Sequence, residues 1–199
     1  MIKYYTNREL ADKLSINLAK WKRWSREFLP PDPLGGMQSG YTRQYGIDDA
    51  FKVFLGGHLV SAVKYTIPEA KKILHDLQEW LTGVGIYQNS GRDLKNNTGT
   101  VRAVKRYIIF IQLDPAVVTG QPIDFLYSIR GILADTTARH KGILVRQERY
   151  IETLIPSQEN VRAVSETLGV KVLNVTAVLN QFVECLDIPK NLYDLLGHG

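Results

Sequence analysis

The first apolar stripe along the chain is short. Leu10, Ala11 and Leu14 recur at helical spacing behind Thr6-Asn7-Arg8-Glu9. That tetrapeptide is a T-x-x-E capping box, in which the Thr6 hydroxyl and the Glu9 carboxylate satisfy each other's backbone N–H. Ser15-Ile16-Asn17 breaks the pattern, and Asn17 suits the N-cap of a second helix after a tight turn. At ~100° per residue, Leu18, Trp21, Ser25 and Phe28 fall on one stripe of that helix. Ala19, Lys20, Arg23 and Glu27 lie opposite, with Lys22 and Arg26 on one flank and Trp24 on the other. Trp21 therefore reads as core, and Trp24 as a boundary residue that packs one face and offers its N–H outward. Pro30-Pro31 ends the helix, because a residue before proline is pushed out of the α region.

Residues 30–46 are rich in Pro and Gly and end in Tyr41-Thr42-Arg43-Gln44-Tyr45, which predicts a β-hairpin or wing over 32–46. Ile47-Asp48-Asp49 opens a third helix whose stripe is Phe51, Phe54, Leu55 and Leu59. Gly56-Gly57 either weakens that helix or lets a neighbour approach closely. Thr66-Ile67-Pro68-Glu69 is a second capping box, leading a helix through Ala70, Ile73, Leu74, Leu77, Trp80 and Leu81. Gly- and Asn-rich residues 83–100 read as a linker. Beyond them the period changes. Residues 101–113 and 141–155 predict strands, and 123–133 a strand or a helix. Ser157 is a cap for a helix through Val161, Val164 and Leu168, and 170–186 begins as strand and ends as helix. The pattern predicts an α+β protein with a helical unit over 1–82, a linker over 83–100 and a small α+β unit over 101–199.

Composition narrows the class. Of 199 residues, 44% are apolar and 23% charged, which is an ordinary globular balance. No apolar run reaches the ~18 residues of a membrane span, and the polar N-terminus lacks the apolar core of a signal peptide. The single cysteine, Cys185, rules out an internal disulfide and a thiolate zinc site, and fits the reducing cytoplasm. His58, His75, His140 and His198 are scattered, so neither a metal site nor a cofactor is expected. Nucleophile-elbow, P-loop and dinucleotide motifs are absent, and Glu148 and Glu152 fall in a predicted strand, so no enzyme is expected. The net charge is +5, and residues 1–30 hold seven Lys/Arg against three acids, which concentrates the excess there.

Three stretches, "YYTNRELADKLSINLAKWKRW", "GYTRQYGIDDA" and "YTIPEAKKILHDL", resemble, in that order, the MerR-type winged helix-turn-helix family over residues 4–82. Trp21, Lys22 and Trp24 stand where that family has an apolar, a basic and an aromatic residue, and Arg43 and Tyr45 resemble its wing. The resemblance implies a recognition helix over 17–28 in the major groove of double-stranded DNA and a wing on the backbone. Gly83 and Gly85 interrupt the long helix through which the family dimerises.

A run of cations on a helix is ordinarily a solvated face, so the chemistry has to be weighed residue by residue. Asn17, Lys20 and Arg23 could reach base edges or phosphates, an Asn pairing adenine and an Arg guanine bidentately. Asn17 is equally a plain helix cap. Lys22, Trp24, Arg26, Arg43 and Tyr45 suit phosphates, which position without reading sequence, and Tyr41 and Tyr45 read equally as hairpin packing. Arg92, Lys95, Arg102, Lys105 and Arg106 form a second basic cluster, read either as a solvated linker or as a further backbone contact. The expectation is a cytoplasmic transcriptional regulator, a homodimer whose 101–199 unit dimerises, binds a small-molecule effector, or both. The alternatives are an excisionase-like recombination accessory protein and a protein-interaction module without DNA binding.

Overall fold

The computed structural model describes residues 4–32, 42–87, 104–113, 125–155 and 169–188. The chain divides into two compact units, Met1–Arg92 with Val178–Lys190, and Asp93–Ala177 with Asn191–Gly199. Helices and two antiparallel sheets make it an α+β protein.

The first unit contains β1 (Tyr5–Thr6), α1 (Asn7–Lys13), α2 (Leu18–Phe28), β2 (Gln44–Tyr45), α3 (Ile47–Ser61), α4 (Ile67–Asp76) and α5 (Gln78–Gly83). Both capping boxes form: Glu9 and Glu69 each accept from the threonine N–H at 2.7 Å. Helix α1 closes on Ser15, whose φ of 53° is left-handed. There the Ser15 N–H reaches Asp12 O and the Ile16 N–H reaches Ala11 O, a Schellman closure that turns the chain toward α2. Asn17 then caps α2, its Oδ1 accepting from the N–H groups of Ala19 and Lys20.

Helices α2 and α3 cross at the two glycines. A Cβ on Gly57 would stand 2.3 Å from ring carbons of Trp24, and one on Gly56 2.7 Å from the Phe28 ring. Trp24 is therefore buried, not at the boundary as its place on the helix predicted. The missing side chain at Gly57 opens the space its indole fills, and the buried stripe rotates toward it, leaving Leu18 half-exposed.

Three boundaries differ from the pattern. The predicted helix through Leu81 breaks at Leu77 into α4 and α5, and Trp80 is half-exposed instead of core. Residues 83–87, predicted to open a linker, belong to the packed unit instead: Ile86 and Tyr87 are buried. The Tyr87 ring meets Phe51 edge-on at 6.1 Å, and burial pushes its phenol well above the ordinary value, with Asp48 adding to the effect. Residues 178–190, assigned by sequence to the second unit, belong to the first. Phe182, on α6 (Val175–Cys185), packs against Phe51 at 5.2 Å and Phe54 at 5.5 Å. Asp187 holds Lys13 at 3.0 Å.

The second unit is a sheet of β3 (Arg106–Leu113), β4 (Phe125–His140), β5 (Ile143–Ile155) and β6 (Lys171–Asn174) in the order β5-β4-β3-β6. Residues 123–133 thus resolve as strand. Ile109 stands opposite both Ile129 and Leu173, and these side chains are buried with Tyr107, Ile111 and Tyr127 on the same face. The Tyr107 N–H is satisfied at 2.8 Å by the Thr176 hydroxyl at the start of α6, and Asn174 Oδ1 accepts from Ala177 N–H. β4 and β5 join through Lys141-Gly142, both at positive φ as a two-residue hairpin turn requires. Past a bulge between Ile132 and Ala134, nearly every residue of the hairpin is exposed. Most of the predicted wing (33–41) and the helix expected from Ser157 lie outside the described residues. Within them, no helix is long and apolar enough to cross a membrane.

Gly57→Ala should overpack the α2–α3 crossing and lower stability by about 1–3 kcal/mol, read as a fall in urea midpoint at unchanged m-value. Half-burial also holds the His58 imidazole below its ordinary value. The unfolded chain then takes up the proton first as pH falls, so this contribution is intact above about 6.5 and is lost below it. His58→Gln should reduce the drop in urea midpoint on going from about pH 7.5 to 5.5.

Candidate nucleic-acid interface

Helix α2 is held from inside by one tyrosine. Trp21 is fully buried and meets the Tyr45 ring edge-on at 5.8 Å and 68°. The Tyr45 hydroxyl donates to Asn7 Oδ1 at 2.6 Å, which leaves the Ser25 hydroxyl to donate to Tyr45, also at 2.6 Å. β2 pairs with β1, placing Tyr45 opposite Tyr5 and Gln44 opposite Thr6. A short ladder and a hydroxyl relay thus tie the segment after residue 41 to the start of α1 and the middle of α2.

This arrangement corrects two expected phosphate ligands. Tyr45 is 1% exposed, with its hydroxyl spent on Ser25 and Asn7, and Trp24 is 5% exposed. Neither reaches solvent far enough to touch a phosphate. Both act instead beneath cations: the Lys20 ammonium lies 4.8 Å above the Trp24 ring, and the Arg43 guanidinium 5.5 Å above Tyr45. Asn17 is corrected in part. Its carbonyl oxygen is occupied by the cap, so the bidentate adenine contact is closed to it and only its NH₂ remains.

The cations stand as expected. Lys20, Lys22, Arg23 and Arg26 are exposed, Arg43 is half-exposed, and none of the five forms an ion pair among the described residues. The acid of this helix is turned aside: Glu27 binds Lys71 on α4 at 2.6 Å. The Lys71 hydrogen bond and charge hold its carboxyl below the ordinary value, with Arg23 and Arg26 adding less. Between α2 and the β2 segment is an open cleft of about 430 Å³ with Lys22, Arg26 and Arg43 on its walls, beside Asn7, Pro30 and Asp32. A cleft with three cations and one carboxylate suits an anionic oxygen ligand.

The second basic cluster falls mostly outside the described residues. Arg92, Lys95 and Arg102 lie outside the described residues, and only Lys105 is exposed. Arg106 is engaged with Asp135 and Glu148. Among the described residues no group of three His, Cys, Asp or Glu could hold a metal ion. Sequence reasoning passed over Asn7 and Ser25, the two polar groups that orient Tyr45. Ser25 was visible as a hydroxyl in an otherwise apolar stripe, whereas nothing marked Asn7 as its partner.

Comparison of the chain with protein families, with curated proteins and with solved structures finds no match in any of the three. The class is therefore defined by the fold alone: an α+β protein that presents an exposed cationic helix.

Tyr45→Phe should leave the buried Ser25 hydroxyl without its acceptor and cost about 1–3 kcal/mol, measured by chemical denaturation. Ser25→Ala in the Tyr45→Phe background should recover part of that loss, since no orphaned hydroxyl then remains.

Proposed function

We propose that the protein binds double-stranded DNA and acts as a transcriptional regulator, with α2 entering the major groove. The observation that carries this reading is the convergence of Lys22, Arg26 and Arg43 on one open cleft, while Glu27 is drawn off to Lys71. In this reading α1, the turn through Ser15 and α2 act as a helix-turn-helix, and the segment before Tyr45 acts as a wing. Lys22, Arg26 and Arg43 grip the phosphates and fix register, and Lys20 and Arg23 face base edges. Asn17 contributes its amide N–H alone. Trp24 and Tyr45 serve as platforms that hold Lys20 and Arg43 in place. One module of this size buries about 600–1,000 Å² of its own surface on DNA, so a regulator of this kind gains from presenting two copies to a palindromic site.

Affinity for a duplex should fall linearly in log salt, with a slope of about −0.9 per neutralised phosphate. Lys22→Ala with Arg43→Ala should flatten that slope by about two units, as measured by fluorescence anisotropy across a salt series. Equal slopes for variant and parent, or no binding to any duplex at low salt, would remove the reading.

A further inference from the structure

β5 is the outermost strand of its sheet and runs thirteen residues, Ile143–Ile155. Among the described residues no strand pairs with its outer side. A long free edge presents alternate backbone N–H and C=O groups to any strand that fits. Its large apolar side chains are also uncovered: Ile143 and Leu144 are 68% and 69% exposed, Tyr150 and Ile151 41% and 37%.

These positions are symmetric. Reading outward from Gln147, Arg146 mirrors Glu148, Leu144 mirrors Tyr150, and Ile143 mirrors Ile151. We propose that β5 pairs antiparallel with β5 of a second copy of this chain, about a two-fold axis at Gln147. A two-fold normal to the sheet keeps each side chain on its own face, so it must pass through a residue and not between two. Few centres are open, and charge separates them. Centring on Arg146 sets Arg146 against itself, and centring on Glu148 does the same to that carboxylate. Centring on Arg149 opposes two arginines, and centring on Val145 sets Arg149 against Lys141, whereas the Gln147 centre sets Arg149 only against the apolar Val145. Only Gln147 sets Arg146 opposite Glu148 of the second copy, twice, and joins Ile143 to Ile151 and Leu144 to Tyr150. The same register places Gly142 of the turn opposite Glu152, which brings the adjoining Lys141 beside that carboxylate.

The side chains at this edge are already held in position. Asp135 binds Arg146 at 2.8 Å and Arg106 at 3.4 Å, and Glu148 receives both arginines, Arg146 at 3.2 Å. Hydrogen bonds and charge from these arginines hold the Asp135 carboxyl below its ordinary value, Arg146 first. Arg130, one strand in, lies 4.7 Å from the Phe110 ring and 4.5 Å from the Tyr150 ring, which holds Tyr150 on that face. The network presents fixed charges of alternating sign to the incoming strand, so little side-chain freedom is left to lose on pairing.

The test needs no DNA, so its failure and that of the DNA reading are distinguishable. In a full-length Cys185→Ser background, Gln147→Cys places the two thiols in directly opposite positions, about 4.5–5.5 Å between Cα atoms, within disulfide reach. Tyr150→Cys places them six residues out of register, roughly 20 Å apart. Sedimentation of the unmodified chain should give a dimer. Mild oxidation should cross-link Gln147→Cys through most of the sample and Tyr150→Cys hardly at all. A monomer at every concentration, a dimer in which Gln147→Cys stays uncross-linked, or equal cross-linking at both positions overturns the proposal. So does a monomer whose β5 residues are protected from exchange only when duplex is added, which reassigns the hairpin to nucleic acid.

Discussion

The first unit depends on how closely α2 approaches α3. Two aromatic rings, Trp24 and Phe28, rest where Gly57 and Gly56 have no side chains. Burying a ring on a backbone surface is favourable for area and dispersion, and it fixes the rotation of α2 about its own axis to within a side chain's width. That rotation decides which residues of α2 face out. With Trp21, Trp24, Ser25 and Phe28 turned inward, Lys20, Lys22, Arg23 and Arg26 are left in solvent. The cationic face is thus a consequence of packing on its opposite side.

A second constraint adds Arg43 to that face. The Tyr45 hydroxyl joins Ser25 of α2 to Asn7 of α1, and the β1–β2 ladder holds the same tyrosine by its backbone. Arg43, two residues earlier, is carried to the cleft beside Lys22 and Arg26. Buried hydrogen bonds of this kind contribute modestly to net stability, but leaving them half-made is expensive, which makes them good at specifying one geometry.

What the sequence disclosed follows from what is local. Capping boxes, the Asn17 cap and the proline stop depend on neighbours within a few residues, and each stands where the pattern put it. The strand periods located β3 and β5, but left 123–133 open between strand and helix and missed the extension of β4 to His140. The strand-to-helix change in 170–186 was legible too, and its boundary falls between Asn174 and Val175. Trp24 and Trp80 were misjudged and Tyr45 was left open between packing and phosphate contact, because burial depends on partners distant in sequence: Gly57 for Trp24, and Ser25 with Asn7 for Tyr45. Across the break at Leu77 the apolar stripe continues through Leu81, which is fully buried, and Trp80 alone leaves it. The candidate cations were legible as residues, but their gathering around one cleft was not, because it rests on the pairing of Tyr5 with Tyr45.

The aromatic cluster of Phe51, Phe54 and Phe182 has a consequence for how the chain is made. Phe182 is added during synthesis more than a hundred residues after Phe51. Until it emerges, α3 has two phenylalanine rings without their final neighbour. The first unit therefore cannot reach its finished core while the ribosome is still translating the strands that follow it. A nascent chain paused in those strands holds an incomplete apolar surface, a state in which chaperones and premature association compete with correct closure.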